Sequence, residues 1–180
     1  MKTTIKLFLT ASVGASLFFS SCKDNSTPVQ NIASQFINLE DEVMGFQTRI
    51  KGDAYSGVYY SHVDSTNAFS LGYSFYLPDS VKNTNIKVYV NAFIRCGEQN
   101  TPGTIAVTLN KADSMIVWKE IYLGNHVTVP NQWTIVTDSI LLPKEITNIS
   151  PLKLNVFGFY PKGKTFLDID DMSITVKSEK

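Results

Sequence analysis

Between Ile86 and Arg95 the chain alternates without a break: Ile86, Val88, Val90, Ala92 and Ile94 are aliphatic, with Lys87, Tyr89, Asn91, Phe93 and Arg95 between them. Successive side chains of a strand point to opposite faces, so this is a strand with one face in a core. The same period of two recurs in Leu71, Tyr73, Phe75 and Leu77, in Ile105, Val107 and Leu109, and in Leu152, Leu154 and Val156. Segments 34–40, 57–63, 115–123, 133–142 and 166–177 are further strand candidates. Turn chemistry separates them at Pro78-Asp79, Thr101-Pro102-Gly103, Lys111-Ala112-Asp113, Val129-Pro130-Asn131 and Pro161-Lys162-Gly163. No stretch sustains a helical period. Many short strands in one chain of this length predict an all-β fold, an antiparallel β-sandwich with jelly-roll topology.

The first residues follow another logic. Lys2 and Lys6 make a positive start, Leu7 to Phe19 carries no charge, and the small residues Ser20 and Ser21 precede Cys22. This is the build of a secretory signal, too short for a membrane span. The junction Phe19-Ser20-Ser21-Cys22 resembles a lipobox, the cleavage site of bacterial lipoproteins. The resemblance implies a signal peptide over 1–21 and a mature chain that begins at an acylated Cys22; an ordinary cleaved signal with an incidental cysteine is the alternative. Several acyl chains together anchor a protein durably. The Cys22-Lys23-Asp24 start resembles the surface-export signal of lipoproteins from glycan-using Gram-negative bacteria, which implies the outer membrane, facing the exterior. Residues 22–33 are polar and read as the lipidated cysteine with a flexible tether, leaving 34–180 as a single β-sandwich domain.

A domain of this size buries roughly 70% of its unfolded-chain surface and needs no disulfide. Cys96, left without a partner if Cys22 is lipidated, therefore reads as a buried small hydrophobe. Lys plus Arg and Asp plus Glu number 16 each, which gives no electrostatic reason to bind nucleic acid.

Several pieces, in this order, resemble the galactose-binding-like β-sandwich shared by many carbohydrate-binding modules: Phe36-Ile37-Asn38-Leu39-Glu40, Ala54-Tyr55-Ser56-Gly57, Trp133 followed by Ile140-Leu141-Leu142-Pro143, and the finish Leu167-Asp168-Ile169-Asp170-Asp171-Met172-Ser173-Ile174. The resemblance covers the domain from about residue 34 to its end. It implies a structural calcium ion with Glu40 and Asp170 as side-chain ligands and loop carbonyls near Ser56 and Gly57. Parity places Asp170 on the face of Met172 and Ile174, where an ionised carboxylate is costly unless paired or metal-bound. The alternative is that these acids end strands in water.

Sugars stack their C–H faces on aromatic rings, while amides, carboxylates and guanidinium groups take the hydroxyls. The non-core parity of 86–95 offers Tyr89, Asn91, Phe93 and Arg95; that of 152–160 offers Asn155, Phe157 and Phe159; Trp118, Glu120 and Tyr122 share one face of 115–123. Side by side on one sheet, these faces would line a shallow groove. Aromatic residues also fill the space beneath covering loops, the competing reading. Trp133 is assigned to packing.

Gly158-Phe159-Tyr160-Pro161-Lys162-Gly163-Lys164-Thr165 satisfies GxxxxGK[ST] letter for letter. The mechanism needs a helix after the lysine, and Phe166 to Asp170 reads as a strand rich in acid, so no nucleotide is expected. No nucleophile–base signature appears, and Glu98 and Glu120 form no spaced pair. Three readings follow: a non-catalytic glycan-binding lipoprotein, a protein-binding or adhesive subunit of a surface complex, and, with least support, a glycoside hydrolase or lyase.

Overall fold

The structure, a computed structural model, describes residues 29–41, 47–160 and 164–179. The expected signal peptide, Cys22 and the tether through residue 28 lie outside the described residues, as do Pro161, Lys162 and Gly163.

Among the described residues there are ten strands: β1 (Asn31–Ile37), β2 (Arg49–Lys51), β3 (Tyr59–Val63), β4 (Phe69–Tyr76), β5 (Asn85–Cys96), β6 (Thr104–Lys111), β7 (Ser114–Tyr122), β8 (Thr134–Leu142), β9 (Lys153–Phe159) and β10 (Leu167–Glu179). Their pairing is nested and antiparallel: β6 with β7, β5 with β8, β4 with β9, and β3 with β10. That nesting is one long two-stranded ribbon rolled over itself, a jelly roll. Rolling produces a first sheet in the order β2-β3-β10-β5-β8, with β1 on the far half of β10, and a second in the order β4-β9-β6-β7.

The alternation in the sequence becomes the core between these sheets. Val88, Val90, Ala92 and Ile94 of β5 meet Ile105, Val107 and Leu109 of β6 and Leu154 and Val156 of β9, all buried. Burying one such side chain is worth about 1.5–3 kcal/mol, and Leu154→Ala would cost about 2–5 kcal/mol. Cys96 is buried in the same core, and loss of hydration pushes its thiol up to about 12.

Three departures from expectation have physical causes. Asn31, Ile32 and Ala33 belong to β1 and not to the tether, because the far half of β10 needs a backbone partner and residues 31–37 pair with 172–177. Strand β2 has only three residues, too few for a period to show. In β10 the register steps from Asp170 opposite Phe93 to Ser173 opposite Asn91, one residue too many, with Asp171 in the left-handed region at φ 44°. This β-bulge breaks parity. Asp170 therefore lies on the outer face with Phe93 and not on the core face with Met172 and Ile174.

Candidate functional site

The outer face of the second sheet is assembled from four strands, and register sets its rows. Phe69, Phe159, Thr104 and Tyr122 lie side by side in one row; Gly72, Phe157, Ala106 and Glu120 in the next; Ser74, Asn155, Thr108 and Trp118 in the third. The small residues of β6 let large rings lean over them, and Thr104, Ala106 and Thr108 are buried although they point outward. Trp118 meets Phe157 and Phe159 edge-on with centroids 5.7 and 5.1 Å apart. Phe69 stacks on Phe159 at 5.0 Å and meets Phe157 edge-on at 5.7 Å. Each such pair adds about 0.5–1.5 kcal/mol beyond burial, so the four rings form one rigid pavement. It is open to solvent at its β4 end, where Phe69 is 55% exposed.

A polar row runs along the pavement. Ser74 Oγ donates to Asn155 Oδ1 at 2.6 Å, and Asn155 Nδ2 donates to Thr108 Oγ1 at 3.0 Å and Asn110 Oδ1 at 3.1 Å. Thr104 Oγ1 donates to Glu120 Oε1 at 3.3 Å. These bonds fix the amide and occupy both of its N–H donors, leaving Oδ1 with one further acceptor position. Between rings and amide lies a shallow cleft of ≈ 280 Å³ lined by Phe69, Gly72, Ser74, Asn155 and Phe157. Gly72 is needed there, because a Cβ would lie 2.4 Å from the Val156 carbonyl oxygen.

The seven residues expected to bind a ligand divide between two faces. Trp118, Asn155 and Phe157 come together on the second sheet, whereas Tyr89, Asn91, Phe93 and Arg95 lie on the outer face of the first. One shared groove is therefore corrected to two surfaces on opposite sides of the sandwich. Arg95 is committed to the fold: its Nε and Nη2 donate to buried Asp168 at 3.0 and 2.9 Å, and its Nη1 to Asp53 at 2.8 Å. Its side chain is only 11% exposed. Asp168 also meets His62 Nδ1 at 2.6 Å. Burial pushes the Asp168 carboxyl up from its ordinary value, against the pull of the His62 and Arg95 bonds. Phe93 lies under the ring of Tyr55, Asn91 accepts from Thr137 Oγ1 at 3.3 Å, and Tyr89 has Lys87 and Lys177 ammonium groups over its ring at 5.3 and 5.2 Å. Trp133, half-buried, packs against Tyr60 and Arg95.

Glu40, Ser56, Gly57 and Asp170 do meet, but around different donors. Asp170 Oδ2 accepts the N–H groups of Tyr55 and Ser56 at 2.9 and 3.0 Å, and Glu40 Oε1 accepts those of Val58 and Tyr59, both at 2.8 Å. Amide bonds to Tyr59 and Val58 hold the Glu40 carboxyl below its ordinary value, while burial pushes that of Asp170 up. Calcium takes oxygen ligands, and each carboxylate has lone pairs beyond those that these amide bonds occupy. Among the described residues no three His, Cys, Asp or Glu side chains gather as a metal cluster.

Phe69 and Ser74 are site residues that period counting does not find. A register shift between Phe69 and Gly72 puts Phe69 out of phase with Leu71 and Tyr73.

No protein-family model matches the sequence, and no curated protein matches it. Among solved structures the backbone is similar to the C-terminal CBM6 of LamC, a marine laminarinase from Zobellia galactanivorans, at a TM-score of 0.42 and 11% identity over 79% of this chain and 99% of that one. It is similar to the CBM22-1 xylan-binding domain of Paenibacillus barcinonensis Xyn10C at 0.45 and 14%, over 84% and 96%. It is also similar to the VP2 subviral particle of infectious bursal disease virus at 0.45 and 10%, covering 93% of this chain but only 37% of that one.

Proposed function

We propose that this protein is a non-catalytic glycan-binding lipoprotein of galactose-binding-like type, and that its ligand surface is the outer face of the second sheet. It would hold polysaccharide or oligosaccharide at the outer membrane, facing the exterior through an acylated Cys22, for uptake or degradation by other proteins. One observation carries the binding role: a pavement of Phe69, Phe157, Phe159 and Trp118 directly beside the fixed Ser74–Asn155–Thr108 row. Rings offer the flat apolar contact that a pyranose C–H face takes, and the amide and hydroxyls offer hydrogen bonds to its rim. A pavement meeting only protein would need no fixed amide along its edge.

A second reading has its own observation. Exposed Tyr122 and Leu141 meet, with Trp118 and Ile140, in an open cleft between the edges of β7 and β8, a partly apolar surface that suits a protein partner in a surface complex. The enzymatic reading has less: Glu98 takes the Tyr160 hydroxyl and Glu120 that of Thr104, so each is already engaged. Affinity electrophoresis through gels containing neutral β-glucan, xylan, mannan or α-glucan tests the proposal. Retardation by at least one supports it, and unretarded migration through all of them overturns it.

A further inference from the structure

The outer face of the first sheet carries a second aromatic surface of different construction. The loop from Gly52 to Val58 crosses that face, and carboxylates from two distant segments grip its backbone: Asp170 takes the amides of Tyr55 and Ser56, Glu40 those of Val58 and Tyr59. Four charge-assisted bonds fix one short loop, and such bonds are about twice as strong as neutral ones. What they hold in place is the ring of Tyr55. It lies face to face on Phe93, centroids 3.3 Å apart and planes 11° from parallel, yet Tyr55 remains 48% exposed. One face of the ring is spent on Phe93 and the other is turned outward.

Polar and aromatic groups lie in the same loop and next to it. Trp133 stands edge-on at 6.4 Å and donates its Nε1–H to the Asp53 carbonyl at 3.3 Å. The Asp53 carboxylate is steadied by Arg95 through Oδ2 while its side chain stays 89% exposed. A loop that merely covered Phe93 could do so with any apolar side chain and a looser backbone. A rigid outward ring beside an anchored, solvent-facing carboxylate is what a sugar needs, with its C–H face on the ring and its hydroxyls donating to the carboxylate.

We propose that Tyr55, with Asp53 and Trp133, is a second sugar-stacking platform, which makes the protein bivalent and able to bridge separate polysaccharide chains. The bridging consequence rests on the glycan reading of the second sheet. The two surfaces lie on opposite outer faces of sheets packed about 10 Å apart, so a short oligosaccharide on one cannot reach the other. Bivalency of this kind raises retention on a polymer without raising affinity for any fragment.

Two readouts on the whole protein test this, using whichever neutral polysaccharide retards it and a hexasaccharide from the same polymer. Calorimetry with the hexasaccharide counts sites, and light scattering with the long polymer reports bridging. The wild type is expected to take two hexasaccharides per chain, with scattering that rises and then falls as protein is added. Tyr55→Ala and, separately, the exposed Asp53→Ala are expected to take one and to scatter no more than polymer alone, while Tyr55→Phe keeps both behaviours. One site in the wild type, with Tyr55→Ala and Asp53→Ala unchanged, overturns the second platform and leaves the first standing. Bridging lost with both sites still filled assigns Tyr55 to a protein contact and overturns it too. No binding of either probe overturns both proposals.

Discussion

Gly57 turns at φ 62° directly against the carboxylate of Glu40, so that a Cβ on Gly57 would sit 2.3 Å from Glu40 Oε1. The close approach lets Oε1 reach the Val58 and Tyr59 amides together. Gly57→Ala adds a left-handed backbone penalty of about 1–2 kcal/mol to the displacement of Glu40. Thermal melting should show a loss of at least about 2–8 °C; an unchanged melting temperature would mean the loop is not fastened there.

The same bond gives a pH signature. The folded Glu40 pKa lies below its ordinary value because the Tyr59 and Val58 amides favour the carboxylate. Its stabilisation is therefore complete above the unfolded value and is lost as pH falls through the lowered folded value. Asp168 and Asp170 are shifted upward by burial and act in the opposite sense, so total stability is not the readout. The difference in stability between wild type and Glu40→Gln is, and it should be full at pH 7 and shrink toward zero in acid. A difference that does not change with pH would contradict the carboxylate's role.

Fastening by amides also bears on metal. A structural calcium ion held by Glu40 and Asp170 would raise the melting temperature in excess calcium over that in excess chelator, because binding to the native state alone is what raises a melting point. The rise should be lost in Glu40→Gln and Asp170→Asn; equal melting in calcium and chelator would contradict the site.

Arg95 should behave as a structural residue. Arg95→Met leaves Asp168 buried with the His62 ring as its remaining side-chain partner, and breaking a buried pair from one side costs about 3–5 kcal/mol. Urea denaturation checks this; an unperturbed midpoint would return Arg95 to the ligand surface.

The anchor is testable without the fold. Labelled palmitate should enter the wild type in a Gram-negative host and be absent from Cys22→Ala, which should then leave the membrane fraction; labelling of both would contradict lipidation at Cys22.

The strands were readable because each of β5, β6 and β9 buries one face, and burial imposes a period of two. Which sheet each strand joins was not, since nothing local to Phe93 or Phe157 says that their rings point to opposite sides of the molecule. Asp170, which parity puts on the wrong face, and Phe69, which no period brings to the site, both sit at register shifts, where one extra residue inverts the parity. The meeting of Glu40, Ser56, Gly57 and Asp170 could be anticipated from the order of short motifs. That the loop turns N–H groups toward the carboxylates could not, because the loop's path is set by an acid 115 residues away. Tyr55 was hidden for the same reason.

Whether the pavement on the second sheet meets sugar is decided by the migration of Phe69→Ala and Asn155→Ala through a gel containing the polysaccharide that retards the wild type. Phe69 is largely exposed, so its truncation should leave folding intact. Each substitution should weaken retardation about tenfold, the equivalent of ~1.4 kcal/mol, with the melting temperature within a few degrees of wild type. Retardation undiminished in both variants would contradict the account.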